Sequence, residues 1–213
     1  MDAPRQERPL EHAEFLTTAA TWQQLPAGGV PEIAFAGRSN AGKSSAINAL
    51  ARRTALAFVS KTPGRTQNIN FFRLRNGALL ADLPGYGYAR VPRDVQQRWQ
   101  TFIARYLTDR GALAGLVLIV DARRLLTDLD RQMLDWFLPS ERPVHVLLTK
   151  SDKLSRSEAA RALDAFRESL AREYARRSAR VTAQLFSATR STGIEEAESA
   201  IASFLPGASL RSG

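Results

Sequence analysis

Short apolar runs alternate with longer amphipathic stretches along this chain. Short runs rich in Val, Ile, Leu and Phe, bounded by turn residues, predict buried strands. We expect strands at residues 32–36, 68–75, 78–83, 115–120, 143–148 and 181–186. Segments with helical spacing of apolar positions predict helices at residues 43–52, 94–109, 128–137, 157–177 and 194–204.

This order of elements predicts the fold class. Alternating strands and helices are typical of an α/β protein with a mostly parallel sheet and helices on both faces. Asn76 and Gly77 separate two predicted strands and are a strong hairpin signal, so we expect one antiparallel pair in a sheet of about six strands. Residues 27–206 would form this domain. Residues 1–26 would be an N-terminal extension that packs loosely, and residues 207–213 would be a flexible tail.

Composition narrows the class of protein. The 213 residues are 44% hydrophobic and 24% charged, which suits a globular domain with a sizeable core. There is no cysteine, so disulfides and thiolate metal sites are excluded. The first residues do not resemble a secretory signal, and the longest apolar run, residues 111–120, is too short to cross a bilayer. We therefore expect a cytoplasmic protein that does not use a membrane.

The net charge of +9 and a pI of about 10.7 favour a polyanionic partner, above all RNA. The basic residues are 26 Arg and 4 Lys. This bias can also reflect genome composition, and general solubility remains the alternative explanation for the charge.

The sequence Gly-Arg-Ser-Asn-Ala-Gly-Lys-Ser lies between a predicted strand and a predicted helix. In that context the glycines let the backbone wrap tightly, so that successive N–H groups and the helix N-terminus point at phosphates. The Lys43 ammonium would neutralise the β- and γ-phosphates, and the Ser44 hydroxyl would ligate Mg²⁺. An ordinary glycine-rich turn is the alternative. This phosphate loop consists of Gly37, Arg38, Ser39, Asn40, Ala41, Gly42, Lys43 and Ser44.

A second motif, Asp82-Leu83-Pro84-Gly85, stands at the end of a predicted strand. An aspartate at that place can hold the Mg²⁺ shell through water, and the Gly85 N–H can approach the γ-phosphate. The D-x-x-G pattern alone is found in many turns, but its position after a phosphate loop makes it specific.

Two loops after later strands predict guanine recognition. The Asp152 carboxylate can accept hydrogen bonds from the ring N–H and the exocyclic amine of guanine, a donor pair that adenine lacks. The Lys150 stem can lie across the base and help brace the phosphate loop. After the last strand, Ser187 would shape a turn from which the Ala188 N–H donates to guanine O6. A solvated loop is the alternative for the motif of Lys150 and Asp152, and the Ser-Ala-Thr tripeptide is unspecific by itself. The residues concerned are Thr149, Lys150, Ser151, Asp152, Phe186, Ser187 and Ala188.

The segment 61–68, between the phosphate loop and the hairpin, must supply one threonine that ligates Mg²⁺ when the γ-phosphate is present. Thr62 and Thr66 both fit, and the residues alone leave the choice open. The alternative is a flexible Pro/Gly loop, which this function also requires.

These elements, in this order over about residues 32–190, resemble the translation-factor-related class of small GTPases. Residues 62–67, Thr-Pro-Gly-Arg-Thr-Gln, resemble the switch segment of Era-like bacterial GTPases, whose aligned threonine is Thr66. Residues 82–89, Asp-Leu-Pro-Gly-Tyr-Gly-Tyr-Ala, resemble the distinctive switch sequence of the EngB (YihA/YsxC) family. A single domain with no appended RNA-binding module is similar to that family too.

The resemblance implies a P-loop NTPase fold of the small G-protein type, with GTP or GDP and Mg²⁺ as cofactors. It makes Lys43, Thr66 and Gly85 the residues that act in hydrolysis, and Ser44, Thr66 and Asp82 the Mg²⁺ ligands. It also extends the nucleotide contacts to Gly64, Arg65, Thr66, Gln67 and Asn68.

For function, the resemblance implies a monomeric GTP-binding switch that assists assembly of the large ribosomal subunit and is needed for normal cell division and septation. The alternative is a septation factor that acts directly on the division machinery without binding ribosomes. An ATP-using kinase or ATPase is disfavoured by Asp152. A nucleotide-independent RNA-binding module would retain its RNA affinity after Lys43→Ala.

Three residues bear on hydrolysis. Tyr86 stands where many GTPases place a glutamine that orients the attacking water, so we expect slow intrinsic turnover. Asn40 resembles an asparagine that holds K⁺ in several Era-like GTPases, and a turn-favouring Asn is the alternative. Arg65 could act as an arginine finger, although a solvated or RNA-facing arginine is the favoured interpretation.

Overall fold

The computed structural model describes residues 10–57, 68–87, 93–175 and 178–206. The strands are β1 (Glu14–Ala19), β2 (Glu32–Gly37), β3 (Ile69–Arg73), β4 (Leu79–Asp82), β5 (Leu113–Asp121), β6 (Val144–Thr149) and β7 (Val181–Leu185). The helices are α1 (Lys43–Leu50), α2 (Arg93–Asp109), α3 (Asp128–Phe137), α4 (Arg156–Glu173) and α5 (Ile194–Ala202). The predicted bounds of α3 are those observed, and the other predicted elements lie within a few residues of their expected bounds.

The strands form one sheet in the order β1-β3-β4-β2-β5-β6-β7. Strand β2 pairs in parallel with β4 on one side and β5 on the other, and the parallel pairing continues through β6 to β7. Parallel strands covered on both faces need apolar residues at most positions, and every residue of β2 and β6 is buried. The predicted α/β architecture is thus confirmed.

Strand β1 corrects the expectation of about six strands, because the sheet of the described residues has seven. It also adds a second antiparallel pair, since β3 pairs antiparallel with both β1 and β4. The strand comes from the segment that we expected to pack loosely, yet Leu10, Ala13 and Ala19 are fully buried. Strand β1 is held at the edge of the sheet by backbone pairing to β3, and most of its side chains are exposed or only partly buried. Its sequence therefore lacks the alternating apolar pattern from which a strand is predicted.

Helices cover both faces of the sheet, as expected. One apolar core packs α2, α3 and α4 against the sheet through Ile103, Tyr106, Leu134, Phe137, Phe166 and Leu170. A second core on the opposite face contains Ala46, Ile47 and Leu50 of α1 and Ala197 and Ile201 of α5. Of the helices in the described ranges, none has the length and hydropathy needed to traverse a bilayer.

The functional loops lie at the carboxyl ends of the parallel strands. Strands β4 and β5 flank β2 on opposite sides, so the direction of strand order changes at β2. Such a point opens a crevice beyond the strand ends, where ligands of open α/β sheets bind. The phosphate loop leaves β2 at this point.

Candidate nucleotide site

The phosphate loop needs glycine at two positions. Gly37 lies so close to β5 that a Cβ on it would be 2.8 Å from the backbone oxygen of Ile119. Gly42, directly before α1, has a φ of 100°, in the left-handed region that favours glycine. Asn40 has a φ of 64°, which asparagine tolerates better than most residues. The loop therefore curls over the N-terminus of α1, where unpaired backbone N–H groups favour an anion.

Lys43 and Asp82 form an ion pair at the centre of the site. Each side chain is about 10% exposed, so each charge has a partner where water is scarce. The pair joins the end of β4 to the first turn of α1, which carries Ser44. A carboxylate next to a hydroxyl-bearing turn is an oxygen donor set of the kind that Mg²⁺ uses, so Asp82 and Ser44 fit the predicted metal.

Residues 82–87, which we call the switch segment, lie against the phosphate loop. The Ser39 N–H donates to the Tyr86 carbonyl at 2.8 Å, and the Tyr86 N–H donates to the Gly37 carbonyl at 3.4 Å. Gly85 packs on the same loop, since a Cβ on it would be 3.2 Å from Ser39 Cα. The Leu83 N–H donates to the Phe35 carbonyl of β2 at 3.0 Å. The two predicted phosphate-binding motifs are therefore in direct contact.

The Tyr86 side chain turns away from the phosphate loop and packs against α3. It is 3% exposed, and its hydroxyl donates to Asp130 Oδ1 at 2.6 Å. Burial and the neighbouring Asp130 carboxylate raise the pKa of Tyr86 well above its usual value, so the phenol stays protonated. The buried ring is therefore part of the core that packs against α3.

The last residue of β6 and the residue that follows it brace the phosphate loop. The Thr149 hydroxyl donates to the Ala41 carbonyl, and the Lys150 ammonium donates to the Asn40 carbonyl. The predicted bracing by Lys150 is thus confirmed. Lys150 has a φ of 58°, and its side chain is 30% exposed. Its stem therefore remains available to a base.

Asp121, the last residue of β5, was not among the predicted site residues, yet it holds Lys150 in place. Its Oδ2 lies 3.0 Å from Lys150 Nζ and 2.7 Å from Arg123 Nη2. Burial alone would raise the pKa of Asp121, but the hydrogen bonds from Arg123 and Lys150 outweigh it and keep this pKa well below the usual value. A carboxylate at the carboxyl end of a buried parallel strand was the sequence signal that could have identified it.

The two predicted guanine loops are joined to each other. The Ser187 hydroxyl donates to Asp152 Oδ1 at 2.7 Å, and Lys153 Nζ lies 3.5 Å from Asp152 Oδ2. The Ser187 hydrogen bond lowers the pKa of Asp152 from its usual value, so the carboxylate is ionised at neutral pH. The Ser151 hydroxyl donates to the Phe186 carbonyl at 3.0 Å, which ties the second loop to the first.

The remaining predicted nucleotide contacts are residues for which the structure gives a position but no direct link to the phosphate loop, or residues outside the described ranges. Asn68 and Pro84 are described, and Ala188 packs at the margin of one core. Beside the phosphate loop, a cavity of about 340 Å³ lies between Arg38, Gly87, Asp121 and Asp130. The residues predicted in the segment before β3 lie outside the described ranges: Thr62, Gly64, Arg65, Thr66 and Gln67.

The site combines a phosphate loop, an aspartate motif beside it and two joined loops predicted to bind guanine, all on a parallel sheet. This arrangement defines a P-loop GTPase. The family model described as 50S ribosome-binding GTPase matches residues 32–150. The chain belongs to the EngB family of GTP-binding proteins, and it is a GTPase.

Relatives of similar length support this assignment. A probable GTP-binding protein EngB of Azoarcus sp. (strain BH72) is 57% identical over 194 residues, which cover 91% of each chain. The same-named protein of Nitrosomonas europaea is 54% identical over 186 residues, covering 87% of this chain and 82% of that protein.

Solved structures agree in fold. The crystal structure of a probable GTP-binding protein engB superimposes with a TM-score of 0.65 and 25% identity, covering 81% of this chain and 97% of that one. The structure of Era in complex with MgGDPNP and nucleotides 1506–1542 of 16S ribosomal RNA has a TM-score of 0.63 at 19% identity. It covers 84% of this chain and 58% of the Era chain, and it shows the shared fold alone.

Proposed function

We propose that this GTPase is a switch that assists assembly of the large ribosomal subunit, with a consequent requirement in cell division and septation. The observation that carries the nucleotide part is the ionised Asp152, held by Ser187 beside a phosphate loop that Lys150 braces. The ribosomal part is supported by the net charge of +9 and by the match to a family of ribosome-binding GTPases. A cytoplasmic monomer that does not use a membrane fits this role.

The residues divide by the part of the nucleotide that they would contact. The phosphate loop and the Lys43 ammonium would bind the phosphates, with Gly85 donating to the γ-phosphate. Asp152 and the backbone of Ala188 would read guanine, with Lys150 across the base. Mg²⁺ would be held by Ser44, Asp82 and Thr66, and it would neutralise charge between the β- and γ-phosphates.

Slow hydrolysis is part of the proposal. Tyr86 is buried against α3, so no side chain at that position reaches an attacking water. Asn40 already has its carbonyl engaged by Lys150, which leaves its side chain as the group that could hold K⁺. Comparing GTP turnover in KCl and NaCl tests the K⁺ role, and equal rates would end it. Unaided turnover on the order of 1 s⁻¹ would contradict slow hydrolysis.

The base-recognition assignment is tested by Asp152→Asn. The change removes two charge-assisted hydrogen bonds to guanine, so GDP affinity should fall by about two orders of magnitude or more. Affinity for xanthosine diphosphate should rise, because an amide can donate to the extra xanthine oxygen. Asp164→Asn, an exposed carboxylate on α4, is the matched control and should leave GDP binding unchanged. Retained GDP affinity in Asp152→Asn would contradict the assignment.

The ribosomal role is tested by co-sedimentation with separated large and small ribosomal subunits at near-physiological salt. We expect binding to the large subunit with a non-hydrolysable GTP analogue and much less with GDP. Binding to neither subunit would overturn the ribosomal proposal and favour direct action on the division machinery, while the GTPase assignment would stand.

A further inference from the structure

Tyr86 is held in place both by its backbone and by its side chain. Its backbone exchanges hydrogen bonds with Gly37 and Ser39 of the phosphate loop, at 3.4 Å and 2.8 Å. Its ring is buried, and its hydroxyl donates to Asp130 Oδ1 at 2.6 Å. The residue therefore connects the phosphate loop to α3 through one side chain.

Asp130 is itself immobilised by the first turn of α3. Its second oxygen accepts hydrogen bonds from the Thr127 N–H at 2.9 Å and the Thr127 hydroxyl at 2.6 Å. These bonds form the capping box of the helix, and Asp130 is 1% exposed. The acceptor of the Tyr86 hydroxyl is thus fixed to the first turn of α3 by two further hydrogen bonds.

Under the proposed nucleotide contacts, the two ends of the switch segment would respond differently to a diphosphate and to a triphosphate. A diphosphate needs Lys43 to leave Asp82 and contact phosphate. A triphosphate also needs the Gly85 peptide to turn toward the γ-phosphate, and Gly85 is bonded to Tyr86. Since Gly85 now packs on Ser39, turning its peptide displaces Tyr86 from its anchored position. The Tyr86–Asp130 hydrogen bond therefore opposes triphosphate binding more than diphosphate binding.

We propose that Asp130 is a positioning residue that sets the preference of this GTPase between GDP and GTP, because it holds Tyr86 and with it the switch segment on the phosphate loop. This inference rests on the proposed contact between Gly85 and the γ-phosphate. In this proposal Asp130 acts through its hydrogen bond with the Tyr86 hydroxyl.

Tyr86→Phe is the direct test, because it removes the hydroxyl and keeps the buried ring. Affinities for GDP and for a non-hydrolysable GTP analogue are measured by titration calorimetry with Mg²⁺ in excess. A hydrogen bond to a buried carboxylate is lost from the anchored form only, so the affinity for the analogue should rise about tenfold relative to GDP. A purely structural effect would change both affinities by the same factor.

Two further variants make the result unambiguous. Thr127→Ala weakens the capping of α3 but leaves the Tyr86–Asp130 bond, so its ratio of affinities should match the wild type. Asp130→Asn keeps the shape and removes the charge, and it should raise the ratio in the same direction by a smaller factor. It carries the test if Tyr86→Phe does not fold, as judged by urea unfolding.

The outcomes are distinct. A raised ratio in Tyr86→Phe and Asp130→Asn, with Thr127→Ala unchanged, supports the proposal. An unchanged or lowered ratio in both of the first two variants overturns it, while nucleotide binding by the wild type keeps the proposed function intact. Failure of the wild-type protein to bind either guanine nucleotide would overturn the proposed function itself.

Discussion

Replacing Asp121 tests how firmly the nucleotide site is organised before the nucleotide arrives. Asp121→Asn keeps the shape of the side chain and removes the charge that lies 3.0 Å from Lys150 Nζ. We expect affinities for GDP and for a GTP analogue to fall about tenfold each, by the same factor, because Lys150 serves the base and the phosphate loop in both states.

The magnitude follows from the geometry. Two unit charges at 3.0 Å attract by about 5 kcal/mol at an effective dielectric constant of 20. Desolvation of Asp121, which is 7% exposed, offsets much of this, so that a charged hydrogen bond contributes about 1.5–3 kcal/mol net. Without it, binding must itself order the Lys150 side chain, whose rotamer entropy amounts to about 1.5–2 kcal/mol. About 1.4 kcal/mol of this corresponds to the tenfold loss.

Titration calorimetry with wild type, Asp121→Asn, Lys150→Met and the double variant measures the coupling. Arg123→Gln is the matched control, because Arg123 is the other cation bonded to Asp121, and its side chain is 45% exposed. It should lose less than about twofold in affinity. Full additivity of the Asp121→Asn and Lys150→Met effects, or an Asp121→Asn affinity equal to wild type, would refute the reasoning.

Three other predictions concern stability and pH. Gly37→Ala places a Cβ 2.8 Å from a backbone oxygen of β5, so the free energy of unfolding in urea should fall by roughly 2 kcal/mol. Gly111→Ala is the control and should match the wild type, because a Cβ there would have nothing within 4 Å. Equal stability of the two variants would contradict the crowding argument. Ser187→Ala removes the hydrogen bond that lowers the pKa of Asp152, so the acid loss of GDP affinity should move to higher pH; an unmoved profile between about pH 4 and 7 would count against it. Burial lowers the pKa of His145, so the unfolded chain binds a proton at this side chain more readily than the folded protein does. The free energy of unfolding should therefore decline as pH falls through about 6.5. His145→Gln should lessen this decline between about pH 7.5 and 5.5, and the same pH dependence in the variant and the wild type would show that other groups cause it.

The parallel part of the sheet could be predicted from the sequence because its strands are buried on both faces. Residues 115–120 are an unbroken apolar run within β5, and residues 143–148, interrupted only by His145, overlap β6. The edge strand β1 gave no such pattern. Phe15 is 61% exposed, and the strand is held by backbone hydrogen bonds that any sequence can make.

Site residues could be predicted where a local sequence motif fixes their position relative to the neighbouring strand and helix. Gly42, Lys43 and Asp152 lie where strand-loop-helix spacing placed them. Asp121 belongs to no motif, and only its place at the end of a buried strand marks it in the sequence. Asp130 has no such mark, because its role depends on Tyr86, which is distant in the chain and meets it only in the folded protein.

The order of the site loops along the chain also bears on when guanine selectivity would arise during synthesis of the protein. The phosphate loop leaves β2 early in the chain, whereas Asp152 and its partner Ser187 follow β6 and β7. Under the proposed assignment, the phosphate loop is therefore synthesised before the residues that would read guanine. Thr149 and Lys150, which brace that loop, come with the end of β6, and Ser187, which holds Asp152, comes last. Guanine selectivity would thus be the last property of the site that translation supplies.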